Sequence, residues 1–492
     1  MVSLNTGWIL RPIHIIGAGL AGSECAYQLA EMGHKVVLHE MRQEGRPESF
    51  TPAHKTHKMA ELVCSNSFGS QTMYSAPGQL KWEAAQMGSL ILKAAKKASV
   101  PAGMALGIDR EILSDTVTSS VEDHPNIQVK REKITRLNDL PRPLVVATGP
   151  LTDTALAEDL RQHFENEFLY FFDAIAPIID ADSINMDIAY IGDRFGKGTG
   201  DYINCPLNKD KYYQLIEEIQ NARKIESKDF EKEWEDTPYF EGCMPIEEMI
   251  RRGPETPRFG PMSPKGLQHG GPDEYKHAVV QLRKENKEGT AYNMVGFQTK
   301  MAYGEQKRIF QMIPGLEDAE FLKLGSIHRN MYIHSPKQLN SDLSSRRDHE
   351  LFFAGQISGV EGYFESTCVG LMVAHFVHAK LNGSEPIAFP RASALGSLIN
   401  AITEEKEHFQ PTNINFSLMP TIENMSGRKN KRLKREKQIE RAQKALLQWL
   451  DENNEVDALA AKNRFDFQHV DFANPNDIIP TPNGTSKEST VN

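Results

Sequence analysis

The chain has 492 residues, 39% of them apolar and 25% charged, with a formal net charge of −10. That length requires two or three domains, and the ordinary apolar share predicts globular cores. The acidic balance excludes a chain that coats nucleic acid indiscriminately, so a polyanionic partner needs local basic patches. The first residues lack the basic start and long apolar run of a secretory signal, and no stretch approaches the roughly 18 apolar residues that span a bilayer. Five cysteines (Cys25, Cys64, Cys205, Cys243, Cys368) are scattered and never form a C-x-x-C pair. They suit free thiols in a reducing compartment, so a cytoplasmic protein with no membrane span is expected.

In chain order, Ile13-His14-Ile15-Ile16 predicts a short buried strand, followed at once by Gly17-Ala18-Gly19-Leu20-Ala21-Gly22. An apolar helix from about Ser23 to Met32 comes next, closed by Gly33, and Lys35 to Glu40 predicts a second strand ending in an acid. Gly17 permits the tight turn, Gly19 lets backbone approach a pyrophosphate, and Gly22 lets helix pack closely on strand. Glu40 can accept hydrogen bonds from a ribose hydroxyl. A glycine fingerprint alone is weak; with strand, helix and terminal acid in register it predicts dinucleotide binding.

Leu144-Val145-Val146-Ala147-Thr148-Gly149-Pro150 predicts a strand running into a turn, as does Leu351-Phe352-Phe353-Ala354-Gly355-Gln356, which leads through Gly359 and Gly362 into a helix from about Glu365. Both segments resemble the later motifs of glutathione-reductase-like flavoproteins. That resemblance implies FAD, with the helix after Gly362 directing its N-terminal amides at the cofactor. No second G-x-G-x-x-G occurs, so NAD(P)H would visit transiently. The glycine-rich run Gly192 to Gly200 misses the Walker spacing and predicts a flexible loop. His54 and His57 lack completing ligands, so no metal site is expected.

Between these turns, Tyr170 to Ile179 predicts an apolar strand, Lys211 to Arg223 a helix, and Gly242-Cys243-Met244-Pro245 a turn into a short helix. The Pro-, Gly- and Arg-rich run from Arg251 to Gly266 should lack regular structure. Arg428 to Arg441 is strongly basic, and Leu433, Ile439, Ala442, Leu446, Trp449 and Leu450 follow helical spacing. An amphipathic helix with a basic face is expected, serving either as a docking helix or as an RNA-backbone contact. The expected fold is α/β: a glutathione-reductase-like FAD-binding Rossmann domain with an α+β insertion domain. Its parts are residues 1–165 and 321–450 for the FAD-binding domain, 166–320 for the insertion domain, and 451–492 for a disordered tail.

Cys25 and Cys368 sit where small residues pack helix on sheet and read as inert core thiols, and Cys205 as a packing residue. Cys64 and Cys243 stand in polar or glycine-containing surroundings and remain candidates for reactive thiols. Several segments carry a more specific likeness: Thr51 to Thr56 leading into Ala60-Glu61-Leu62-Val63-Cys64-Ser65-Asn66-Ser67-Phe68, Phe240 to Glu247, Arg252-Gly253-Pro254, Gly296 to Lys300, Gly325 to Asn330, and Gly355 to Tyr363. Together they resemble the TrmFO family of folate- and FAD-dependent tRNA (uracil-5-)-methyltransferases, from about Ile13 to Trp449.

The resemblance implies that 5,10-methylenetetrahydrofolate supplies a one-carbon unit to the T-loop uridine of tRNA, that reduced FAD supplies a hydride, and that NAD(P)H reduces the flavin. It maps the family's two cysteines onto Cys64 and Cys243. A thiolate adding at uracil C6 makes C5 nucleophilic, and a base then removes the C5 proton. Cys243 is the expected nucleophile; Cys64 is expected to assist methylene transfer or take the proton, and the reverse assignment stays open. His328 and Arg329 are candidates for folate contact. No obligate protein partner is implied. The rival readings are a GidA/MnmG-like FAD-dependent modification of wobble uridines and a non-catalytic FAD-containing tRNA-binding factor. A long helical C-terminal domain would mark the first, and the chain has too few residues for it. A serine or alanine at 64 or 243 would mark the second.

Overall fold

The computed structural model describes residues 11–51, 53–165, 168–196, 198–224, 244–267, 276–286, 288–406, 409–423, 425 and 431–470. Its first sheet is fully parallel and runs Leu351–Phe353, Leu144–Val146, Ile13–Ile16, Val36–His39, Ile127–Lys130 across its width. Numbered along the chain and read from the Ile127–Lys130 edge, that order is 3-2-1-4-5, so the direction of winding reverses between Ile13–Ile16 and Leu144–Val146. Open α/β sheets bind ligands in the crevice beyond the strand ends at that reversal. Every residue of these two strands is buried, as expected where helices cover both faces.

Two helices pack over this sheet, Leu20–Glu31 and Tyr363–Leu381. They approach closely because a side chain at Gly370 would bring its Cβ within 2.2 Å of the Ala21 carbonyl oxygen. Two buried carboxylates cap helices deep in this domain. Glu24 accepts the Leu90 and Ile91 amides, and Glu83 accepts those of Ala394 and Leu395. These pairings satisfy amide groups that helix starts leave open.

A second, antiparallel sheet has six strands in the order Tyr190–Ile191, Tyr202–Leu207, Ala278–Lys284, Ala291–Met294, Ile178–Asp180, Phe321–Lys323. Helices Lys209–Asn221, Ile246–Arg252 and Tyr303–Phe310 contribute Leu215, Ile250 and Phe310 to its separate core. Strands Phe168–Ile175 and Ser326–Ile333 pair antiparallel where the chain enters and leaves this region. A small sheet of Ser67–Ser70, Ala105–Ile108 and Ser99–Val100 lies beside the parallel one. Among the described residues no helix is long and apolar enough to cross a membrane.

Several elements depart from expectation. The apolar run Tyr170 to Ile179 is two strands in two sheets, parted at Ala176-Pro177 because proline has no amide to continue a ladder. The glycine run at 192–200 is braced, not slack: the Asp193 carboxylate accepts the Gly200 and Asp201 amides, and Arg194 donates to Gln281, Ser263 and Lys265. The segment after Arg251 holds a short helix, Thr256–Phe259.

The basic helix spans Lys431–Glu452, burying Ile439, Ala442, Leu446, Trp449 and Leu450 while Leu433 is exposed. Beyond it, where a disordered tail was expected from residue 451, a helix covers Asn454–Ala461 and the chain continues as an ordered strap to Val470. Phe467 and Val470 are buried, Arg464 donates to the Gln86 carbonyl, and the Val470 amide donates to Gln71. The first domain provides an apolar shelf that the strap's own polar composition does not reveal. Residues 471–492 lie outside the described residues.

Candidate functional site

At the sheet's reversal point lies a cleft that is open to solvent. Gly17, Gly19, Leu20, Ala21, Glu40, Gly149, Gly355 and Gln356 all line it, although the last two lie more than 300 residues from the first four. Gly17 takes φ +98°, and a Cβ there would meet the Ala147 carbonyl oxygen at 2.7 Å. Gly19 begins the first helix with no side-chain cap, and nothing lies within 4 Å of where its Cβ would stand. The unfilled space beside uncapped helix amides suits the pyrophosphate of a dinucleotide. Gly362 starts the long helix at φ +110°, again without a side-chain cap, and Tyr363 and Ser366 of that helix line the same cleft.

Glu40 braces the turn. One carboxylate oxygen accepts the Ala18 amide at 2.9 Å, and the other accepts the Arg42 amide and Nε. Arg42 in turn donates to Glu61 at 3.1 Å, tying the second strand to the segment that carries Cys64. Burial opposes ionisation of Glu40, but Arg42 and these hydrogen bonds overcome it and pull the group from 4.5 down to about 2. Between those values the folded chain binds fewer protons than the unfolded one. The stabilisation is therefore complete above about pH 4.5 and is lost as pH falls towards 2, with a size on the order of 3 kcal/mol. Glu40→Gln should flatten this acid limb of a stability-against-pH curve measured by urea unfolding; an unchanged limb would contradict the assignment. Behind the cleft, His14 and His39 pair at 2.9 Å, and His39 also meets Glu132 at 2.9 Å. Burial, more than any neighbouring charge, pushes His14 down to about 4.

Cys64 stands at the lip of this cleft, half-buried, and its neighbours Glu61 and Val63 line it. Its segment is bonded from distant elements at nearly every backbone position. Ala60, in the left-handed region at φ 51°, donates its amide to the Ala18 carbonyl in the glycine turn. Arg110 donates to the carbonyls of Leu62 and Cys64 and pairs with Glu285 at 2.7 Å. Tyr363 accepts the Cys64 amide at 2.6 Å. Lys323, from the second sheet, donates to the Val63 carbonyl at 3.1 Å. The Asn66 side chain donates to the Ile108 and Lys284 carbonyls and accepts from Arg283 Nε at 3.0 Å. The cysteine therefore sits where the first domain meets the second sheet, beside cleft-lining Val63 and Tyr363.

The remaining thiols divide clearly. Cys25, Cys205 and Cys368 are fully buried. Burial pushes Cys205 up to about 12 and raises Cys25 and Cys368 further, so all three are core groups. Cys243 lies outside the described residues, as do the side chains of His328 and Arg329. His54 lines the cleft and meets Thr51 at 2.7 Å.

The family model described as GIDA, glucose inhibited division protein A, matches residues 12–385. A protein of Bdellovibrio bacteriovorus named methylenetetrahydrofolate–tRNA-(uracil-5-)-methyltransferase TrmFO is 63% identical over 441 residues, which is 89% of this chain and 98% of that one. The chain belongs to the TrmFO family. A second relative with the same name, from Aquifex aeolicus, is 46% identical over 442 residues, covering 90% of this chain and 97% of its own length. Among solved structures, Aquifex aeolicus GidA superposes with a TM-score of 0.64 at 17% identity, covering 92% of this chain and 74% of that one. That likeness concerns the fold alone.

For this TrmFO chain, sequence reading brought out Cys64 and the glycine turns but passed over Arg110, Arg283 and Lys323. Arg110 follows an ordinary helix cap, Asp109, and nothing local distinguishes it. Lys323 is 260 residues from its partner Val63. Only the pairing of the two domains reveals either residue.

Proposed function

We propose that this chain is an FAD- and folate-dependent tRNA (uracil-5-)-methyltransferase, forming 5-methyluridine in the T loop with methylenetetrahydrofolate as carbon donor and NAD(P)H as electron source. The observation that carries the reading is 63% identity across 98% of a relative whose name gives methylenetetrahydrofolate, tRNA and uracil-5 methylation. The cleft supports it, since two uncapped helix starts and the open space at Gly19 fit a dinucleotide. Residues Gly17 to Gly22, Gly149, Gly355, Gln356 and Gly362 would hold FAD, with Glu40 bracing the turn. Reduced FAD, when bound, supplies the hydride that turns a methylene into a methyl group.

The chain's own residues handle the uracil ring. Cys243 adds through its thiolate to C6, which places the electron pair on the C5–C4–O4 system and lets C5 attack the one-carbon unit. Cys64 takes the C5 proton as the tetrahydrofolate amine leaves and an exocyclic methylene forms, or assists methylene transfer; hydride addition to that methylene then expels the Cys243 thiolate from C6 and restores the ring. Arg110, Tyr363 and Lys323 hold the backbone around Cys64, so its sulfur is carried on a fixed frame. A reducing compartment such as the cytoplasm suits both thiols.

Purified protein given unmodified tRNA, NAD(P)H and carbon-labelled methylenetetrahydrofolate should place label at uridine C5. S-adenosylmethionine serves as the alternative donor. Label arriving only from S-adenosylmethionine would defeat the reading.

A further inference from the structure

Two of the cations around Cys64 have donors to spare. Lys323 makes one hydrogen bond, to the Val63 carbonyl. Among the described residues Arg283 commits only its Nε, to Asn66, and the forked end of its guanidinium meets no acceptor. Both are part-buried, and neither forms an ion pair among the described residues. Arg110 beside them differs, because Glu285 neutralises it. Taking a cation out of water costs free energy that a directly bonded opposite charge normally offsets, whereas Glu285 and Glu61 act on Arg283 and Lys323 only from a distance. Burial first, then Arg110 and Lys55, push Lys323 down to about 8. Burial likewise lowers Arg283; Tyr202 and Glu285 oppose it, and Arg110 adds to the lowering. A bound anion would relieve both.

The seat lies one residue before Cys64 and two residues after it, through Val63 and Asn66, and this bears on which anion it takes. The argument rests on the proposed function, in which the C5–C6 edge of a uracil comes to Cys64. In an anti uridine that edge faces the nucleotide's own 5′ phosphate, so the phosphate arrives close to the thiol. The glutamyl carboxylates of a folate lie beyond a benzoyl spacer from the carbon being transferred and fit this position less well. A chain with net charge −10 also needs local cations to hold a polyanion.

We propose that Arg283 and Lys323 form a seat for the phosphodiester flanking the target uridine, Arg283 through its two-pronged guanidinium and Lys323 as a point charge. An arginine matches two phosphate oxygens at once, whereas a lysine adds charge without fixing orientation. Arg283 and Lys323 come from strands of the second sheet with two others between them, and both reach the segment of the first domain that carries Cys64. A phosphate held there would register the RNA against both halves of the molecule.

The test is equilibrium binding of unmodified tRNA to the FAD-loaded enzyme across a range of salt, for wild type, Arg283→Met, Lys323→Met and Lys323→Arg. Each methionine variant should weaken binding by about tenfold near 0.15 M salt and lower the slope of log affinity against log salt by about 0.7 to 0.9, the value for one lost phosphate contact. Lys323→Arg should keep the wild-type slope, which a merely structural role for the lysine does not predict. KM for methylenetetrahydrofolate should stay within about twofold in all of them. Unchanged slopes in both methionine variants overturn the seat. So does a rise in folate KM with an unchanged tRNA slope, which would assign the cations to a carboxylate. Wild-type enzyme that binds no tRNA would overturn the methyltransferase reading, and the seat with it.

Discussion

Cys64→Ala should reduce methyl transfer by at least about a thousandfold while the folded state and its cofactor survive, in keeping with loss of an acid–base or nucleophilic group. The structure separates the two effects. The hydrogen bonds that hold residue 64 run through its amide to Tyr363 and its carbonyl to Arg110, and alanine keeps both. The side chain is half-buried, so its loss should change stability by no more than about 1 kcal/mol. Cys243→Ala should be equally inactive but for a different reason, which 5-fluorouridine tRNA distinguishes. Cys64→Ala should still form the covalent adduct and Cys243→Ala should not. An adduct that persists in Cys243→Ala and vanishes in Cys64→Ala would exchange the two roles.

Gly22→Ala should unfold the dinucleotide site outright. A Cβ at Gly22 would stand 1.8 Å from the Gly17 carbonyl oxygen, which is backbone and cannot rotate away, and 3.2 Å from the Ala147 Cβ. The first helix would have to lift off the sheet, at a cost of about 3 kcal/mol or more by the measure of overpacked cores. The expected outcome is a lower melting temperature together with loss of bound flavin absorbance. Gly19→Ala makes the contrast. With no protein atom within 4 Å of the new methyl group, the apoprotein should melt near the wild-type temperature. The methyl group would instead occupy the space where the pyrophosphate approaches, and flavin affinity should fall. Retention of wild-type affinity by Gly19→Ala would show that the cofactor does not use that space.

These two glycines illustrate what local pattern can and cannot convey. The strand, turn, helix and terminal acid from Ile13 to Glu40 form one short unit whose parts interact with their near neighbours, so spacing alone specified it. Glu40 was read as a ribose acceptor, and the structure has it accepting the Ala18 amide and binding Arg42. Both partners are local, but the choice between them depends on where Arg42 is held by Glu61. The break in Tyr170 to Ile179 was also legible, since Pro177 announces it, and apolar continuity was allowed to outweigh the proline. The strap from Asn454 to Val470 was harder to see. Its apolar residues are few, and they become buried only because the first domain offers a surface that they meet after a long helix returns the chain.

The sequence by itself determined the dinucleotide unit, the two later glycine turns, the three inert thiols and the family, because each depends on short runs of residues or on matching motifs. Tertiary structure alone decided the surroundings of Cys64. Arg110 is 46 residues away from it, Tyr363 is 299 away, and Lys323 lies 260 from Val63. Hydrogen bonds of that span leave no periodicity in a sequence. Those of Arg110 and Tyr363 exist only once the first domain has folded, and that of Lys323 only once the antiparallel sheet has met the segment that carries the thiol.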